Sequence, residues 1–236
     1  MRKDPPVYDA AYSHTEGTLG ADIVRLVLWF DLGHVSELSI IASGKPALDD
    51  NETAQRLIKA GAQGTSYRSM GAVKIRGRSV LALWLDDEQL SRVESSLPGA
   101  LAVAPWLLDD IAIWRLARKP TEVSSADFPD DLPLDPVVLA AMNELSMMSN
   151  PSDGLVSYGK DHAIDSFRLL RDAGYTWDPS ACAAIMARGG WRLSSAVDLK
   201  VLATEMLAGK SKRTSGHHGK LGPAALAHWR AQAAQF

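Results

Sequence analysis

A chain of 236 residues with 46% hydrophobic and 22% charged residues has the composition of a folded globular protein of one large or two small domains. Its longest apolar run, IVRLVLWF at residues 23–30, is too short to cross a membrane and contains an arginine. The N-terminal segment lacks the apolar core of a secretory signal, and the single cysteine, Cys182, cannot form an internal disulfide. We therefore expect a cytoplasmic protein that makes no membrane contact.

The net charge of −3 is unevenly distributed along the chain. Residues 1–84 carry a net charge of +1, residues 85–159 carry −9, and residues 160–236 carry +5. Two interpretations remain open, because such asymmetry is found both in proteins that bind polyanions and in proteins whose acidic and basic parts pack together.

Alternating strand and helix patterns fill the first half of the chain. Residues 1–17 show no period and are expected to form a loose arm, and helical spacing follows from Leu19 to Phe30. Short apolar runs predict strands, each followed by a helical pattern, at residues 37–43, 80–84 and 100–106. We therefore expect a small Rossmann-like, three-layer α/β domain of three or four parallel strands over residues 1–118.

Only helical patterns follow this part of the chain. Residues 119–136 are rich in Pro, Ser and Asp, which predicts a linker. Five helical patterns then predict an all-helical domain over residues 137–236, in which Asp178 followed by Pro179 is a specific signal for a helix start. The expected fold class is thus α/β plus α.

Two stretches of the sequence resemble known proteins. The first is RSVLALWLDDEQLSRVESSLPGALAVAPW, and the second runs through the series AGY, DP, GW, LAGK and HWR. Together they are similar to a family of uncharacterised actinobacterial proteins that join an α/β half to a helical half. The resemblance implies a two-domain organisation, and it implies neither an activity nor a catalytic residue.

The carboxyl ends of the predicted strands are the first candidate site, because ligands bind there in open parallel sheets. The candidate residues are Ser43, Gly44, Lys45, Asp86, Asp87 and Trp106. A glycine beside a helix start lets backbone N–H groups approach a phosphate, which Lys45 would neutralise, so the pattern favours a nucleotide-like ligand. No glycine-rich phosphate motif is present, and N-capping of the following helix is the simpler explanation of the two aspartates.

No catalytic group and no metal site emerges from the sequence. The histidines lack the spacing of a zinc site, and no GxSxG motif is present. Cys182 lies among alanines, which indicates a small buried apolar residue rather than a nucleophile. The sequence therefore assigns neither a cofactor nor a reaction.

The second candidate site is a helix–turn–helix pattern over residues 181–203, followed by the basic stretch LAGKSKRTSGHHGKLGP at residues 207–223. We expect Ser194 or Ser195 to cap its second helix. The candidate nucleic-acid contacts are Arg188, Arg192, Lys200, Lys210, Lys212, Arg213 and Lys220. A solvated connector between two helices explains the same stretch, since cations are favoured after a helix C-terminus.

Two functions are consistent with these features. The first is a non-catalytic binding or regulatory protein whose helical domain contacts nucleic acid or a protein partner. The alternative is an enzyme or sensor that binds a nucleotide-like small molecule at the strand ends.

Overall fold

The computed structural model describes residues 8–14, 19–124, 134–149, 155–215 and 221–235. The described residues divide into two compact units, one within residues 8–124 and the other within residues 134–235. The N-terminal unit contains a parallel sheet with helices, and the C-terminal unit is helical in its described part. The predicted α/β plus α class is therefore confirmed.

The α/β unit has a six-stranded sheet whose described strand pairs are all parallel, in the order β3-β2-β4-β5-β1-β6. Its strands are β1 (Asp9–Tyr12), β2 (Leu38–Ala42), β3 (Gln63–Ser66), β4 (Ser79–Leu83), β5 (Ala100–Ala104) and β6 (Thr121–Glu122). Its helices are α1 (Leu19–Trp29), α2 (Lys45–Asp49), α3 (Glu52–Lys59), α4 (Asp87–Ser95) and α5 (Ala112–Arg118). Short 3-10 turns complete the connections.

Apolar side chains cover both faces of this sheet. On one face, buried residues of α1, α2 and α3 form a single cluster with Ile40, Leu81 and Ala102. Side chains alternate along a strand, so Val80 and Val103, which are fully buried, point to the opposite face, where α4 and α5 pack. The helices after β1 and β2 thus lie on one face and those after β4 and β5 on the other.

The sheet is larger than the three or four strands predicted from the sequence. β1 lies in the expected loose arm, where Ala11 pairs with Ala102 of β5 and with Thr121 of β6. β3 is a polar edge strand with the sequence QGTS. Backbone pairing with neighbouring strands forms these elements, and their side chains carry no alternating apolar pattern that would predict them.

The end of the α/β unit also differs from the expected boundary at residue 118. β6 extends the sheet to Glu122, inside the segment 119–136 that was expected to be a linker. At the other end of that segment, Asp135 caps a helix that begins at Pro136.

Local capping signals set several helix starts. The side chain of Asn51 accepts a hydrogen bond from the N–H of Ala54 at 2.9 Å, which caps α3. Asp86 and Gln89 form a reciprocal capping box at the start of α4. The predicted cap at Asp178 is confirmed, because its carboxylate accepts from the N–H of Ala181.

The described helices of the second unit are α6 (Pro136–Met148), α7 (Ser157–Asp172), α8 (Pro179–Arg188), α9 (Leu193–Leu207) and α10 (Pro223–Ala233). Their core contains Phe167, Trp177, Trp191 and Trp229. The indole N–H of Trp229 donates to Glu144 at 2.8 Å, so this buried polar group is satisfied. Among the helices described in either unit, none is long and apolar enough to span a membrane.

Candidate functional site

The strand order creates a crevice at the carboxyl ends of β2 and β4. These strands are hydrogen-bonded neighbours, but the chain leaves β2 toward the face of α2 and leaves β4 toward the face of α4. Neighbouring connections that diverge in this way open the crevice in which α/β proteins bind their ligands. The candidate site therefore lies at this end of the sheet.

A pocket of about 520 Å³ lies at this position, and we call it the edge pocket. Its volume falls in the range of small-molecule sites, roughly 300–1,000 Å³. The first turn of α1, the α2–α3 region and the residue after β4 form its walls: Leu19, Gly20, Ala21, Pro46, Ala47, Asp50, Asn51 and Trp84. Most of these side chains are apolar, which is typical of a pocket for an organic molecule.

Trp84 is the most unusual residue of the edge pocket. Its φ angle of +58° is in the left-handed region, which bulky residues rarely adopt. The backbone N–H of Trp84 still donates to the carbonyl of Ala104 at 2.8 Å, so pairing with the neighbouring segment supports this conformation. Trp106 packs edge-on against the Trp84 indole, with ring centroids 4.8 Å apart, and is itself 60% exposed. An aromatic pair therefore lies just beyond the carboxyl ends of β4 and β5.

The polar groups of the pocket wall are few. Asn51 uses its side-chain oxygen to cap α3, which leaves its NH₂ group for other contacts. Asp50 is exposed and follows α2 directly. Of the described lining residues, Asp50 alone carries a carboxylate.

None of the six residues predicted for this site is among the described lining residues of the edge pocket. Lys45 is 83% exposed at its side chain and pairs with Asp49 at 3.8 Å. Asp86 caps α4, as the competing interpretation held. Asp87 is buried, and its carboxylate accepts hydrogen bonds from the N–H groups of Ile113 and Trp114 at 3.0 and 2.8 Å. It therefore caps α5, which sequence reasoning missed.

The other three predicted residues have structural contacts as well. The N–H of Ser43 continues the ladder to Leu83, Gly44 precedes α2 in an extended conformation, and Trp106 contacts Trp84. Sequence reasoning thus located the strand ends correctly and missed the contribution of α1. The one sequence signal for Trp84 was its own position, as the aromatic residue at the end of a predicted strand in WLDDE (residues 84–88).

A polar cluster lies at the ends of β1 and β6. The hydroxyl of Ser13 donates to the buried carboxylate of Asp22 at 2.6 Å, and Asp22 also pairs with Arg25. Burial raises the pKa of Tyr12. Burial also raises the pKa of Glu122, although its carboxylate accepts hydrogen bonds from the Tyr12 hydroxyl and from the backbone N–H of Ser124. These contacts tie α1 and β6 to β1 and fix the α1 turn that lines the edge pocket.

A second buried cluster anchors the start of β1. Arg118 donates two hydrogen bonds to Glu94, at 2.8 and 3.0 Å, and both side chains are less than a tenth exposed. The hydroxyl of Tyr8 donates to Glu94 and accepts from the indole N–H of Trp114. This cluster joins α4 to α5 and is structural.

In the helical unit, a short turn in which Gly190 has a φ of +92° connects α8 to α9. The second helix begins at Leu193, with Arg192 before it, rather than at the predicted caps Ser194 or Ser195. Arg192 is exposed and Lys200 is half-buried on α9. Hairpin geometry alone does not distinguish a nucleic-acid reader from a packing motif.

The cations of the basic stretch are partly neutralised. Lys210 pairs with Glu205 at 3.3 Å, and Lys212 pairs with the same carboxylate. Hydrogen bonds from Lys212 and Lys210 lower the pKa of Glu205. Arg213 is exposed. Lys220, also a predicted contact, lies outside the described residues.

Arg188, the remaining predicted contact, lies in the wall of a groove of about 380 Å³ between α6 and α8. Asn143, Ser146, Met147 and Ile185 line the same groove. The hydroxyl of Ser146 is buried against Gly189, where any side chain would collide with it. Close packing of the two helices therefore requires glycine at this position.

The described part of the chain contains no cluster of His, Cys, Asp and Glu suited to a metal ion. Cys182 is fully buried, and burial raises the pKa of its thiol. Both features are typical of a packing residue.

Comparison with protein families places one match on the chain. Residues 134–230, in the helical unit, match the family described as Domain of unknown function (DUF1889). No curated protein was found to match the chain.

Proposed function

We propose that the α/β unit binds a small planar molecule of the nucleoside type in the edge pocket. The observation that carries this proposal is a 520 Å³ pocket at the carboxyl ends of β2 and β4, with Trp84 in its wall. The proposal retains the location of the predicted nucleotide-like site and changes the residues that form it.

The lining of the pocket favours a flat, largely apolar ring. An indole in a mostly apolar wall favours the stacking of an aromatic ring, which contributes about 1–3 kcal/mol per nucleobase. Trp106 packs edge-on against the Trp84 ring, and this contact favours an ordered wall before a ligand enters.

The charges around the pocket disfavour a phosphate group. The carboxylate of Asp50 lies in the wall, where it repels an anion and accepts hydrogen bonds from an exocyclic amino group. Lys45, the one cation predicted for the site, extends into solvent beside Asp49. A nucleoside or free base therefore fits the pocket better than a nucleotide does.

The proposed role is that of a sensor or carrier, because binding alone is supported by the lining. An enzyme acting on the same ligand is the alternative, and it requires a general acid or base at the ligand. Asp50 is the candidate for that role among the described lining residues.

A thermal-shift and calorimetric titration of the full chain with adenosine, uridine and AMP tests the proposal. A nucleoside at about 100 times its Kd stabilises the protein by about 2.7 kcal/mol, which raises Tm by several degrees. AMP should bind more weakly than adenosine. No shift with any nucleoside would refute the proposal.

Matched variants locate the binding. Ala21 lines the pocket on α1, so Ala21→Leu should fill it and abolish the shift. Val24→Leu, on the same helix but 48% exposed and outside the lining, should bind as the wild type does. Trp84→Phe should retain part of the affinity, and Trp84→Leu should lose about tenfold or more. Equal effects of Ala21→Leu and Val24→Leu would place the ligand elsewhere.

A second function, contact of the helical unit with nucleic acid or a protein partner, is favoured by one observation. Arg192 and Arg213 are exposed and, within the part of the chain that is described, neither forms an ion pair with a carboxylate. Phosphate contacts by these cations would produce strong salt dependence. Cytoplasmic location and the actinobacterial two-domain affiliation remain proposals from the sequence.

A further inference from the structure

The segment of residues 210–215, which contains three of the four Lys and Arg residues of the basic stretch, is hydrogen-bonded to α7. The guanidinium of Arg168 donates to the backbone carbonyl of Lys212 at 3.0 Å. Asp161 accepts a hydrogen bond from the backbone N–H of Ser215 at 2.8 Å and another from its hydroxyl at 2.5 Å. We call the Asp161–Ser215 contact the latch.

The latch depends on the hydroxyl proton of Ser215. Asp161 is only 3% exposed, so its carboxylate needs hydrogen-bond donors from the protein. An ionised carboxylate is an acceptor only, and therefore the Ser215 hydroxyl must act as the donor. Any chemistry that removes this proton and adds negative charge turns an attractive contact into a repulsive one.

The position of Ser215 suits a modification that replaces its hydroxyl proton with a negatively charged group. It is exposed, and it lies in a segment without regular secondary structure. Arg213 and Lys212 precede it by two and three residues, a charge pattern that basophilic protein kinases select in their substrates.

We propose that Ser215 is a phosphoryl acceptor and that its phosphorylation opens the latch. The Ser215 oxygen forms a bond to the γ-phosphorus of a nucleoside triphosphate bound to a protein kinase. The bond from that phosphorus to the β–γ bridging oxygen breaks, the nucleoside diphosphate leaves with the electron pair, and the hydroxyl proton passes to the kinase base. This inference concerns the helical unit and is independent of the edge pocket.

The product cannot keep the native contact. The phosphoserine ester oxygen has no proton to donate, and the phosphate carries a charge of about −1.5 to −2 next to a buried carboxylate. The segment then leaves Asp161, which also weakens the Arg168–Lys212 contact. Opening the latch therefore releases the backbone of residues 210–215 from α7, while Lys210 and Lys212 keep Glu205 as their ion-pair partner.

Phosphate transfer is tested first, on the full chain with ATP and the catalytic subunit of a basophilic serine/threonine kinase. Peptide mass spectrometry should find the phosphate on Ser215 in the wild type and in Thr214→Ala, and no phosphate on residues 210–215 in Ser215→Ala. Transfer to Thr214 alone, or no transfer, would overturn the proposal.

Opening of the latch is then measured as the rate of trypsin cleavage after Lys212 and Arg213. Loss of a hydrogen bond to a charged group corresponds to about a tenfold change in an opening equilibrium, so phosphorylated protein should be cut about tenfold faster or more. Ser215→Ala keeps the backbone contact and should be cut at an intermediate rate, and Ser215→Thr should behave as the wild type. Equal rates for phosphorylated and unmodified protein would overturn the proposal.

A change in Asp161 identifies the cause of the opening. In Asp161→Asn the repelling charge is gone, so phosphorylation should accelerate cleavage much less than it does in the wild type. An undiminished acceleration would show that the phosphate acts elsewhere. The order of rates among Ser215→Ala, Ser215→Thr and phosphorylated wild type tests the latch even if Asp161→Asn does not fold.

Discussion

Replacement of Asp87 by alanine should destabilise the α/β unit strongly, whereas the same change at Asp86 should be mild. The carboxylate of Asp87 is buried and accepts two backbone N–H groups at the start of α5, at 3.0 and 2.8 Å. Hydrogen bonds to a charged group contribute about 1.5–3 kcal/mol each, and the N–H groups left behind would be buried. We expect Asp87→Ala to lower the free energy of unfolding by about 3 kcal/mol.

Asp86→Ala is the matched control, because Asp86 is exposed and caps only its own helix. Loss of an exposed N-cap costs about 1 kcal/mol. Urea titration followed by far-UV circular dichroism gives the free energies, and hydrogen exchange in residues 112–118 reports on α5 directly. A free energy of unfolding for Asp87→Ala within experimental error of that for Asp86→Ala would refute the capping role.

Three further predictions concern pH, thiol reactivity and nucleic acid. Burial raises the pKa of Glu122, so the folded state holds the carboxyl proton more tightly than the unfolded state, and stability falls as pH rises from the unfolded-state pKa through the folded-state pKa. Glu122→Gln should therefore raise Tm more at pH 7 than at about pH 4, which is close to the unfolded-state pKa. Equal changes in Tm at the two pH values would contradict this sign. The Cys182 thiol is fully buried, so an aromatic disulfide reagent should label it only in denaturant, and rapid labelling of native protein would show that the site opens. If the helical unit binds DNA or RNA, affinity should drop steeply between roughly 50 and 200 mM salt, and Arg213→Gln should flatten the slope of affinity against salt by about one unit. Lys210→Gln should change this slope less, because the Lys210 cation is already paired with Glu205. Absence of binding at low salt would rule out nucleic-acid binding by this unit.

The sequence alone determined the features that depend on neighbours within about one helical turn. The cap of α8 at Asp178 follows from residue type and spacing, because the capped N–H lies three residues away. Alternation of apolar strands and helices determined the α/β plus α class, since burial requires those periods.

Tertiary structure alone decided the site. β1 lies between β5 and β6, some ninety residues or more away, and its place depends on backbone pairing rather than on side-chain pattern. The edge pocket combines Ala21 with Trp84, and Asp87 caps a helix that starts 25 residues later. Such contacts depend on strand order and on which face each connection takes. Local propensity carries no information about strand order or about the face that a connection takes. In the sequence, Asp87 therefore could not be distinguished from a ligand-binding residue.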